Sequence, residues 1–105
     1  MVCSKTLSGK WNLSGIPRDW KLVAFVFNSN GVDVVGTADF LINENPVSFD
    51  VRGHYNGAAL DLSFRGAFEF HFSGNCEHVG DNIFKGGLEG ERDITNAATI
   101  SPLGS

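Results

Sequence analysis

His71, Cys76 and His78 fall close together in the chain with Glu77 and Asp81 beside them, and imidazole plus thiolate ligands of this kind hold zinc. Their spacing matches no standard zinc template, and strand alternation sends His71 to an outward face while Cys76 falls beyond a turn, so no metal and no cofactor is expected. Nucleophilic chemistry would need an exposed, activated side chain. Ser, His and Asp are all present, yet there is no Gly-x-Ser-x-Gly elbow and no Cys-His arrangement. Acid and base work calls for two carboxyls converging in an apolar cleft. Asp33, Asp39, Asp50, Asp61 and Glu69 instead alternate with apolar residues and face water. No catalytic residue stands out, and binding is expected in preference to catalysis.

The elements that would position any site are short and alternate with a period of two. Ala58, Leu60, Leu62 and Phe64 face one way and Ala59, Asp61, Ser63 and Arg65 the other, the pattern of a half-buried strand. The same reading gives strands over 7–13, 19–27, 32–42, 47–52, 58–64, 67–72 and 83–89, with a final strand or docked tail over 92–100. Asn28-Ser29-Asn30-Gly31, Asn43-Glu44-Asn45-Pro46 and Asn56-Gly57 supply turns, and Gly36 suggests a bend or bulge. No segment carries a helical period. Seven to eight strands joined by tight turns predict an all-β fold, a single antiparallel up-and-down β-barrel, with a β-sandwich as the alternative. Closure is favoured because it removes both sheet edges.

A chain of 105 residues is one domain that buries about 65% of its unfolded surface. Residues 1–5 and 101–105 are expected to be disordered tails or remnants of cloning. The net charge of −4 comes from scattered groups, which excludes a phosphate-backbone footprint and hence nucleic acid. No run of 18 apolar residues exists, so no membrane partner is expected. The protein reads as soluble, either cytoplasmic or secreted after signal removal. Cys3 and Cys76 make one disulfide possible.

Three pieces carry a resemblance in consistent order over residues 3 to 76. Cys3-Ser4-Lys5-Thr6-Leu7-Ser8-Gly9-Lys10-Trp11, the segment from Asn28-Ser29-Asn30-Gly31 to Gly36-Thr37, and Phe72-Ser73-Gly74-Asn75-Cys76 resemble parts of the avidin family of eight-stranded barrels. Gly-x-Trp near a barrel's start also occurs in lipocalins, so the chain is similar to the broader calycin-like group. The resemblance implies that Cys3 and Cys76 are disulfide partners. It does not extend to biotin: the family's polar donors and later tryptophans correspond here to Leu13, Ala38, Phe64 and Leu88, and Trp11 and Trp20 are the only tryptophans.

Two faces then compete for function. The inner face is almost free of polar atoms, and an eight-stranded barrel either fills with side chains or holds one small ligand. The leading expectation is non-catalytic binding of a small apolar ligand in the lumen, with Trp11, Trp20, Phe40, Phe64 and Phe70 as walls and Tyr55 near the entrance. The second is a homodimeric interaction module: Val23, Phe25 and Phe27 would point outward beside Val35 and Leu41, and such a patch marks a subunit contact unless Ile94, Ile100 and Leu103 cover it. An enzyme with an unrecognised site is the third.

Overall fold

The computed structural model describes residues 3–77, 81–91 and 94–103, the side chain of Thr95 excepted. Eight strands follow one another: β1 (Trp11–Ser14), β2 (Trp20–Asn30), β3 (Asp33–Ile42), β4 (Asn45–Tyr55), β5 (Ala59–Arg65), β6 (Glu69–Cys76), β7 (Phe84–Gly90) and β8 (Ile94–Pro102). Each pairs antiparallel with the next in sequence from β2 to β8, and β8 returns to pair with β1, giving an all-β, up-and-down, nearly closed barrel. The final strand is real and long. It carries Ser101 and Pro102 opposite Asn12 and Trp11, so part of the expected C-terminal tail belongs to the wall.

Turn chemistry fixes the registers. Asn43 and Glu44 both take positive φ (51° and 67°) between the paired residues Ile42 and Asn45, the two-residue turn whose twist suits a hairpin. Asn56 caps the next turn through Oδ1, which accepts from the Ala58 and Ala59 amides at 2.9 and 2.7 Å. Asn28 to Asn30 do not turn. They extend β2, and the reversal falls at Gly31-Val32, with Gly31 at φ 65°.

The barrel's seam lies between β1 and β2, and the N-terminal segment closes it. Gly9 O accepts from Phe27 N at 3.2 Å and Leu7 O from Ser29 N at 2.8 Å, while Leu7 N donates to Ser29 Oγ at 2.7 Å. Ser29 is the buried polar residue among the described core positions, and these bonds satisfy it. Farther up, Cys3 N donates to Gly57 O, Ser4 N donates to Asn82 Oδ1, and Cys3 is joined to Cys76 with Cα atoms 5.7 Å apart. The disulfide implied by the resemblance is therefore formed, and Cys3 is a fastener rather than part of a loose tail.

One irregularity decides which residues line the lumen. Trp20 and Leu22 pair with Ile42 and Phe40, but the register then shifts, leaving Val23 as the extra residue of a β-bulge before Ala24 meets Asp39. The shift inverts the alternation, so Phe25 and Phe27 point inward at 1% and 0% exposure and Val23 outward at 60%. The outward placement expected for both phenylalanines is corrected by this bulge. The bend anticipated at Gly36 has a different form, since Gly36 lies opposite Phe27 where a Cβ would come within 2.1 Å of Val26 O.

Two outcomes follow for stability. Gly36→Ala should lower stability by about 1–3 kcal/mol, the cost of forcing volume into a close-packed site, read as a lower urea midpoint; an unchanged midpoint would contradict the close approach. Replacing Cys3 and Cys76 together with Ser should cost about 4 kcal/mol, given the 73-residue separation that the bridge spans, measured the same way.

Candidate functional site

The chain has nine phenylalanines, two tryptophans and one tyrosine, and every one points into the barrel. Eleven of these rings, Phe72 set aside, join in a continuous column. Tyr55 meets Phe84 at 5.6 Å, Phe84 meets Trp11 at 6.4 Å, and Trp11 stacks on Phe27 at 4.5 Å. The contact then passes through Phe25 to Phe64, which stacks on Phe70 at 4.4 Å with the planes 6° apart. Trp20 closes the far end, with Phe40, Phe49, Phe68 and Phe70 between 5.3 and 6.3 Å from its ring.

The residues expected to bind ligand thus separate into two groups. Trp20, Phe40 and Phe70 share the end opposite the disulfide, with Phe64 stacked behind Phe70; Phe49 and Phe68 complete that cluster. Trp11 and Tyr55 sit at the strapped end. Tyr55 was expected near an entrance, but it is 2% exposed, its hydroxyl donating to Ser4 O in the N-terminal strap. The strap covers that end and makes Tyr55 a plug. Trp11 Nε1 is a buried donor without a hydrogen-bond acceptor among the described residues, held between aromatic faces.

Trp20 differs from all the other aromatics. It alone is not fully buried, and Leu22 and Val47, partly buried against the core, flank Phe40 on the neighbouring strands. Leu22, Phe40 and Val47 form one row across β2, β3 and β4, so the apolar rim at this end is built by register.

The outer wall is polar and organised in rows. Outward positions align as Asp33, His54, Asp61 and Ser73 in one row and Val35, Arg52, Ser63 and His71 in the next. Between them lies an open groove of about 560 Å³ that continues past His71 and Ser73 into a second depression, where Gly87 presents no side chain. Side chains in the groove are linked. Ser73 Oγ donates to Asp61 Oδ1 at 2.6 Å, Ser63 Oγ lies 3.0 Å from His71 Nδ1, His71 Nε2 lies 3.2 Å from Glu69 Oε1, and Arg65 Nε lies 3.0 Å from Glu69 Oε2. No one-dimensional motif marks this set, whose members are spaced along two strands. A signal was there: the outward residues of β5 and β6 pair symmetrically about Ala67, as Arg65 with Glu69, Ser63 with His71 and Asp61 with Ser73.

Among the described residues the zinc candidates do not converge. Cys76 is consumed by the disulfide, His71 is tied to Ser63 and Glu69, and His78 lies outside the described residues. Of the five residues expected at a dimer contact, Phe25 and Phe27 are interior. Val23 and Val35 are exposed and Leu41 half-buried, with Thr37 and Asp39 interrupting them, so the outer apolar face is much reduced. Ile94 and Ile100 do not cover it, since both are inside the barrel. Comparison with protein-family models, curated proteins and solved structures finds no match to this chain.

Burial pushes the Tyr55 phenol above its ordinary value. A raised folded value means that the neutral phenol's contribution is present below about pH 10 and is lost as pH rises through the folded value. The wild-type melting midpoint should therefore fall more steeply above about pH 10 than that of Tyr55→Phe, followed by circular dichroism; parallel profiles would remove Tyr55 as the cause.

Proposed function

We propose that this protein binds one small, flat, apolar molecule without catalysing its reaction, at the Trp20 end of the barrel. The carrying observation is that Trp20 alone among the aromatic residues keeps part of its ring in water. A large apolar ring left partly exposed over a floor of Phe40, Phe49, Phe68 and Phe70 has contact area to offer a ligand. Barrel mouths are habitual places for such sites, because rigid walls present converging side chains while the end loops leave access.

The floor explains the class of ligand. No charged side chain is buried in the described core, so a charged ligand would lose water without gaining a partner. A planar apolar body loses nothing comparable and gains edge and face contacts with the rings. Entry requires Trp20 to swing, and its position at the first residue of β2, just before the bulge, leaves one flank free of the long ladder.

A nonpolar naphthylamine dye tests the reading. Titrated into the protein, it should give saturable emission and move the indole N–H resonance of Trp20 while leaving that of Trp11 in place. Trp20→Ala should weaken the dye about tenfold, since a ring contact is worth ~0.5–1.5 kcal/mol beyond its area. Absence of saturable binding, or a response confined to Trp11, would refute it.

A further inference from the structure

We propose that the outer groove is a nucleophilic acyl-transfer site in which Ser63 attacks a short-chain ester and His71 takes its proton. It stands apart from the Trp20 end, on the opposite side of the wall, and does not depend on ligand binding there.

Hydrogen-bond logic sets the direction of proton flow. Glu69 carboxylate can only accept, so His71 Nε2, 3.2 Å from Glu69 Oε1, must carry the hydrogen. In a neutral imidazole the other nitrogen, Nδ1, is then bare. Ser63 Oγ lies 3.0 Å from that bare nitrogen and can only donate to it. The hydroxyl is thereby aligned with a general base, the arrangement that activates a serine. Glu69 is fixed in turn by Arg65 Nε on its second oxygen at 3.0 Å. Glu69 and Arg65 are positioning residues. They select the tautomer without touching the substrate.

The groove supplies what surrounds the nucleophile. Ser63 is half-buried and lines the groove of about 560 Å³, and Val35 gives a small apolar seat along the same row. Arg52 is the register partner of Ser63 on β4, lines the same groove, and forms no ion pair among the described residues. It is the available donor for the oxyanion, because the neighbouring strand amides are committed to the ladder. The groove is open and shallow, which limits the acyl group to a short chain.

The reaction balances with water alone. Ser63 Oγ bonds to the carbonyl carbon as its proton passes to His71 Nδ1, and the negative charge on the carbonyl oxygen faces Arg52. Collapse breaks the bond to the alkoxy oxygen, which leaves as the alcohol with the proton from His71. Water, deprotonated by His71, then attacks the acyl carbon, and cleavage from Ser63 Oγ releases the carboxylic acid and restores the hydroxyl.

The intact protein is mixed with p-nitrophenyl acetate and, separately, with a fluorophosphonate, and modified peptides are mapped by mass spectrometry. The acetyl and phosphonyl groups should land on Ser63, and Ser63→Ala should abolish that label. His71→Gln should slow labelling of Ser63 about 10²-fold, the lower range for a general base, with thermal midpoint and circular dichroism unchanged. Labelling confined to lysines, Tyr55 or the amino terminus would overturn the proposal. So would Ser63 labelling whose rate ignores His71→Gln.

Discussion

Twelve large rings must be kept from water by one small tube of sheet, and that requirement organises the molecule. Apolar burial is the dominant favourable term in folding, and here it is concentrated in rigid bodies that stack and tilt against each other along the barrel axis. Rings of this size fit a narrow barrel only where neighbouring positions are small. Gly74 provides room for a ring, since an added Cβ would come within 2.5 Å of Phe72 Cζ, while Gly36 and Gly86 let paired backbones approach, with Val26 O and Ser73 O at 2.1 and 1.8 Å from an added Cβ. The bulge at Val23 serves the same end by turning Phe25 and Phe27 inward, which adds two rings to the middle of the column and strips the outer face of its grease.

Filling the lumen forces a choice about its ends. One is sealed by covalent and hydrogen-bonded fastening: Cys3 to Cys76, Tyr55 to Ser4, and the stitches of Leu7 and Gly9 onto β2. The other is covered by the partly buried Trp20 with an aliphatic rim. This asymmetry directs the binding proposal to Trp20 and away from Tyr55. A column fastened shut at one end can offer ring surface to a ligand only at the end whose terminal ring stays partly exposed.

Outside, the same ladders that bury the rings align polar side chains in rows. Cross-strand neighbours on one face of an antiparallel pair stand about 4.5–5.5 Å apart at Cβ, close enough for hydroxyl, imidazole and carboxylate to bond. The β5–β6 hairpin therefore juxtaposes Ser63, His71, Glu69 and Arg65 as a by-product of the register that sends Leu62, Phe64, Phe70 and Phe72 inward. Inner packing and outer chemistry share one constraint.

Alternation marked seven of the eight strands and most of the core, and the tight turns between them implied the antiparallel order, because a period of two is a local property that survives without knowledge of neighbours. Leu60, Leu62, Phe64, Phe70 and Phe72 were assigned to the interior from spacing and are there. The alternation could not reveal the Val23 bulge, since a run apolar on both faces, as from Val23 to Phe27, has no phase to read; pairing with Ala38 and Gly36 on β3 decides it. Nor could it find the Ser63–His71–Glu69 chain, whose members come together only when two strands lock in register. Sequence determines what each residue prefers to face. Tertiary structure decides which residues meet, because meeting depends on strand pairing and closure, which no single stretch of chain contains.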